Sequence, residues 1–236
     1  MSGGIFSYAL LAALATALMV AAFTDLRRRE IDNRLNLAIA LAAPLWWLAM
    51  GFGWAEVGFQ LALAAGTFII VCIFFALRQM GGGDVKLLTA LALWFTPASF
   101  LQVIVLMAVI GGGGSIAMAA LNMRRVPGEI PRDVLAATAA LIWVCATCAM
   151  LVALATGNPL IGAGTAAAVR TVLPQPWTMA LAALALIVIV IAGLGHIRRR
   201  QKSSLRVPYG IAIAAASLWV LGEQTLWATR LAAQTG

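Results

Sequence analysis

Apolar residues gather in eight blocks along this chain, at about Ile5–Thr24, Asn36–Phe52, Val57–Leu77, Leu87–Thr96, Ala98–Asn122, Val134–Thr156, Trp177–Gly195 and Val207–Thr229, with every charged residue except Glu223 outside them. A helix needs roughly 20 apolar residues to cross a bilayer, and seven of the blocks reach that length unaided. The fourth, counted from Asp84 to Thr96, gives a helix of about 20 Å at 1.5 Å per residue, short of a hydrocarbon core of about 30 Å. It is either a short span in a locally thinned bilayer or a re-entrant hairpin.

Charge parity separates these two arrangements. If the fourth block crosses and the N-terminus lies outside, 14 of the 16 Lys and Arg fall on the cytoplasmic side, leaving Arg170 and Arg230 outside. If it does not cross, every later loop changes side and the basic residues divide evenly. Cytoplasmic loops carry the excess of Lys and Arg in membrane proteins, so the pattern predicts about eight transmembrane helices with both termini outside. The same assignment puts Trp46, Trp47, Trp54, Trp94, Trp177 and Trp227 at or near the outer interface, where an aromatic belt belongs. The first block has no basic residue before it and three arginines after it, the reverse of a secretory signal peptide, and is expected to stay as a helix.

Composition agrees with the pattern. Of 236 residues, 63% are hydrophobic and 10% charged, and mean hydropathy is +0.99. Soluble domains carry about 25% charged residues, so an ordinary cytosolic enzyme is excluded. Residues 1–236 are expected to form one all-α, polytopic membrane domain. The net charge of +8 reports topology by this reading, with no nucleic-acid partner. Cys72, Cys145 and Cys148 all lie inside apolar blocks, which fits neither a loop zinc site nor a disulfide scaffold. Cys145 and Cys148 form a C-x-x-C on one helix face. A thiol oxidoreductase would use such a pair, but here it sits mid-span, out of reach of a protein thiol.

Only eight acidic residues occur in the chain. Glu56 and Glu223 belong outside; Asp25, Glu30, Asp32, Asp84, Glu129 and Asp133 belong to the cytoplasmic side. Asp25 follows directly on the first apolar block, and Asp84 closes Met80-Gly81-Gly82-Gly83-Asp84 at the start of the fourth. Both stand where a loop meets a helix at one membrane face, where water reaches. Asp84 read alone is a helix N-cap, and Asp25 read alone is an acid among arginines. Three successive glycines either make a flexible turn or let an extended peptide approach the backbone closely. Lys86 either tunes Asp84 or binds lipid headgroups, and Asn33 and Asp32 either orient the first site or cap the second helix.

Taken together, these stretches resemble a known family. Thr24-Asp25-Leu26-Arg27-Arg28-Arg29-Glu30-Ile31-Asp32-Asn33 is similar to the first aspartate motif of the type IV prepilin peptidases, and Gly81-Gly82-Gly83-Asp84-Val85-Lys86 to their second, the Gly-x-Gly-Asp-x-Lys signature of the GxGD aspartic peptidases. Val207-Pro208-Tyr209-Gly210-Ile211-Ala212 resembles the start of the last helix in the small peptidases of tight-adherence (Flp) pili. The resemblance implies an aspartic endopeptidase of the bacterial inner membrane, with Asp25 and Asp84 as catalytic residues, Gly81, Gly83, Lys86 and Asn33 supporting them, and no metal or other cofactor. Its substrate would be a prepilin, a basic leader followed by an apolar helix; membrane lipids are the other expected partners. Family members that also N-methylate carry a cysteine-rich insert after the first helix. This chain has a short cysteine-free loop there, which speaks against methyl transfer. Small members usually have fewer spans, and the additional length maps to a helix pair at about 124–202. The rival reading is a membrane scaffold or transporter subunit whose two aspartates only cap helices.

Overall fold

The computed structural model describes residues 4–124, 128–202 and 208–235, with side chains described up to Leu226. Arg125, Arg206 and Val207, and the side chains of Trp227 and Arg230, lie outside the described residues. Among the described residues the chain is helical throughout, in the order α1 (Ile5–Arg28), α2 (Asn33–Met50), α3 (Trp54–Ala76), α4 (Gly82–Leu91), α5 (Pro97–Leu121), α6 (Ile130–Thr156), α7 (Ala163–Val172), α8 (Pro176–Arg199) and α9 (Tyr209–Thr235). Five of them, α1, α3, α5, α6 and α8, are long and apolar enough to cross a membrane. The protein is a helical, multi-pass membrane protein. The short α7 lies in the gap between the sixth and seventh apolar blocks, where the hydrophobic pattern marked no element.

Contacts divide the chain into two units, residues 1–111 with 208–236, and residues 112–207. In the first, α4 is the central element. It packs against α2, α3 and α9, and Leu87, Leu88 and Leu91 are fully buried. At ten residues, α4 is only about 15 Å long. The chain then runs on through a non-helical stretch to Pro97, whose carbonyls need donors that a helix would have provided. Side chains from neighbouring helices provide them. The Trp47 indole N–H donates to the Leu93 carbonyl at 2.8 Å, and Gln60 Nε2 donates to both Ala92 and Phe95 carbonyls at 2.6 Å. Trp94 donates to the Ile39 carbonyl at 2.9 Å and stacks on Trp46 with ring centroids 6.0 Å apart.

These contacts engage three of the tryptophans expected near the outer interface. Trp46, Trp47 and Trp94 are buried, whereas Trp54 and Trp177 are exposed. The break in α4 draws Trp47 and Trp94 inward as donors, and Trp46 packs on Trp94. Replacing Gln60 with Leu should lower unfolding stability by about 1–3 kcal/mol, because two buried carbonyls lose their donor. Denaturant unfolding in detergent, followed by helical circular dichroism, measures this directly.

Two contacts along α9 mark the path that begins at α4. Gly210, in its first turn, lies against Asp25, while Gln224 donates to Ser99 Oγ at 2.7 Å and Glu223 accepts from Gln102. Gly210 and Gln224 are about 20 Å apart by helical rise, so the segment from Asp84 to Ser99 travels that distance through the unit.

In the second unit α6 and α8 pack antiparallel. Gly193 permits the close approach, since a Cβ there would lie 2.5 Å from the Ala139 methyl. His196 meets Asp133 at 2.9 Å, and Arg200 pairs with Glu129. In α5 Gly113 permits a close approach, since a Cβ there would lie 2.7 Å from the Thr147 methyl.

Candidate active site

α1 does not stop where its apolar block ends. It continues to Arg28, with Arg27 and Arg28 in the last turn, where cations suit the negative end of the helix dipole. Asp25 therefore sits in the final helical turn and not in the loop beyond it, and it is buried, 6% exposed. The chain reverses through Arg29, in the left-handed conformation at φ 57°, and re-enters α2 behind Asp32, whose carboxylate accepts from the Arg34 N–H at 2.9 Å. Asp32 is thus the cap of the second helix, one of the two roles that the sequence left open.

Asp84 arrives differently from its expectation. Gly81 is the N-cap of α4; Asp84 is the third helical residue, and its Oδ2 reaches back to accept from the Gly81 N–H at 3.3 Å. It too is buried, 9% exposed. Asp25 is close enough for its charge to act on Asp84. Two carboxylates in one buried site do not both ionise without cost, and one proton shared between them relieves it.

The first turn of α9 closes the site. The N–H groups of Gly210 and Ile211 lie against the Asp25 carboxyl, and a Cβ on Gly210 would fall 2.7 Å from Asp25 Oδ2 and 2.8 Å from Ile31 Cδ1. Only a hydrogen fits there. Gly83 is confined in the same way from the other side, its missing Cβ 3.2 Å from Ile31 Cβ. Ile31 therefore stands between the two glycines, and its role was not anticipated from the sequence. The available signal was a single apolar residue between Glu30 and Asp32, in a loop with no other reason to be apolar. Tyr209, next to Gly210, is seated against Gly111, where a Cβ would lie 2.9 Å from its ring.

Of the supporting residues, Gly81 and Gly83 are at the site and Lys86 is not. Two residues along a helix turn about 200°, which carries Lys86 to the opposite side of α4 from Asp84. There Nζ donates to Asn33 Oδ1 at 2.7 Å. Asn36, also unanticipated, donates to the Gly83 carbonyl at 3.4 Å. Among the described residues, Asp25 Oδ2 and Asn36 Oδ1 are buried acceptors without a hydrogen-bond partner. Cys145 and Cys148 are exposed on α6, and among the described residues no three metal-ligating side chains converge.

Comparison with known proteins bears on the same segment. Residues 12–116 match the type IV leader peptidase family. The chain is also similar to prepilin peptidase EppA of Methanocaldococcus jannaschii, 36% identical over 84 residues, which is 35% of this chain and 23% of that protein. The match thus spans less than a quarter of that relative's length. No solved structure matches. Asp25, Ile31, Gly83 and Asp84 all fall inside the segment that is similar to the type IV leader peptidase family.

Proposed function

We propose that this protein is an aspartic endopeptidase that removes the basic leader from a prepilin, of the Flp-like type, at the cytoplasmic face of the membrane. The observation that carries the reading is the burial of two carboxylates on either side of Ile31, Asp25 beside Gly210 in the first turn of α9 and Asp84 beside Gly83 in the first turn of α4. In the reaction the ionised carboxylate takes a proton from water as its oxygen attacks the scissile carbonyl carbon. The protonated partner donates to the carbonyl oxygen; collapse of the tetrahedral intermediate breaks the C–N bond and the amine leaves with a proton. The pair titrates as one unit, so acid and base are roles of the dyad and not of either residue.

An eight-span topology with the N-terminus outside suits this chemistry, because it places both aspartates on the side where the leader waits. The 20 Å path from Asp84 to Ser99 supports a fourth crossing through a thinned bilayer. Asp32→Asn and Cys145→Ser should leave cleavage within about twofold of the wild type, since neither side chain enters the dyad; immunoblot of a co-expressed prepilin, cut against uncut, measures it. Loss of cleavage in the Cys145 variant would instead favour the thiol chemistry.

A further inference from the structure

On the side of α4 away from the aspartates lies a groove of about 320 Å³, formed with α2 and α3. Its mouth holds Asn33 and Lys86, and its depth is apolar, between Leu37, Ala40, Phe68 and Leu93. From Asn33 to Ala40 it follows α2 for about 10 Å. Leu37 and Phe68, its side walls, are 57% and 48% exposed, so the groove opens outward from the unit, and Asn36, which reaches the Gly83 carbonyl, also lines it.

We propose that this groove is a binding site for one anionic phospholipid, with the phosphate at Lys86 and Asn33 and an acyl chain along the apolar floor. Charge complementarity selects this occupant. Lys86 is the only ionisable residue lining the groove, and among the described residues no carboxylate pairs with it. Its ammonium spends one proton on Asn33 Oδ1 and retains two for a phosphate oxygen. That same bond turns the Asn33 amide so that its Nδ2 is a second donor at the mouth. An apolar peptide would fill the depth but leave this cation without a counter-charge, and a free phosphate would satisfy the cation but leave the depth empty. Because Lys86 lies two residues from Asp84, the lipid would also brace the start of α4.

Native mass spectrometry of the full chain in detergent tests the site independently of peptidase activity. With phosphatidylglycerol and phosphatidylcholine supplied together, the wild type should retain phosphatidylglycerol about fivefold more strongly, the effect of one lysine at a membrane surface. Lys86→Gln should abolish that preference, Lys86→Arg should keep it, and Arg28→Gln, away from the groove, should leave it unchanged. Ala40→Phe, which fills the groove and leaves the charge intact, should lower retention of both lipids. Millimolar glycerophosphate should not displace the bound lipid. A preference that survives Lys86→Gln, displacement by glycerophosphate, or one-for-one displacement by an apolar peptide with a basic leader would each overturn the proposal.

Discussion

Asp25→Asn and Asp84→Asn are each expected to reduce cleavage of a co-expressed prepilin by 10²-fold or more, in line with the loss of a general acid or base. Both variants should still accumulate in the membrane. An amide is nearly the same size as a carboxyl, so the packing under α9 is kept while the exchangeable proton is lost. The double variant should be little worse than either single one, because a dyad acts as a unit and its losses do not add. This pattern separates catalysis from capping. If the two aspartates only closed helix ends, each Asn would serve nearly as well, and cleavage surviving in either variant would dispose of the dyad.

Gly210→Ala is the second change with a large expected effect. The added methyl group falls 2.7 Å from Asp25 Oδ2 and 2.8 Å from the Ile31 side chain, so either the carboxylate or the start of α9 must shift. A displacement of about 1 Å at a reacting group costs on the order of 10² in rate. The loss should appear in kcat and not in KM, since the methyl presses on Asp25. Shortening the neighbour, Ile31→Val or Ile31→Ala, should recover part of the lost rate in the double variant. A Gly210→Ala protein with wild-type kcat would show that α9 does not hold Asp25. Gly83→Ala should be milder, because its 3.2 Å approach to Ile31 can relax by a few tenths of an ångström.

The two aspartates were legible in the sequence for a simple reason. In so apolar a chain each acid stands out, and these two fall at apolar-block edges on one predicted face. Their local structure was less legible. Hydropathy marks where the chain leaves the apolar layer, but a helix ends where its backbone bonds end. Arg27 and Arg28 are good helix formers at a favourable terminus, so α1 carried Asp25 into its last turn. The tryptophans illustrate a second gap. An indole ring suits an interface and a buried break in a helix equally well, because in both places its N–H finds an acceptor. Only the position of the α4 break decides between them, and that depends on Gln60 and Ile39 from other helices. Ile31 and Gly210 depend on tertiary contact altogether: neither has meaning until α1, α4 and α9 meet.

The order of these elements along the chain has a consequence for the timing of assembly. Asp25 and Asp84 are synthesised early, whereas the turn that covers Asp25 begins at Tyr209, after the whole of the second unit. At roughly 5–20 residues per second, synthesis from Asp84 to Gly210 takes about 6–25 s. Throughout that interval both carboxylates are in place but the N–H groups of Gly210 and Ile211 are not. The site is incomplete until α9 arrives, and a truncated product lacking α9 would carry both aspartates without the wall that seats one of them.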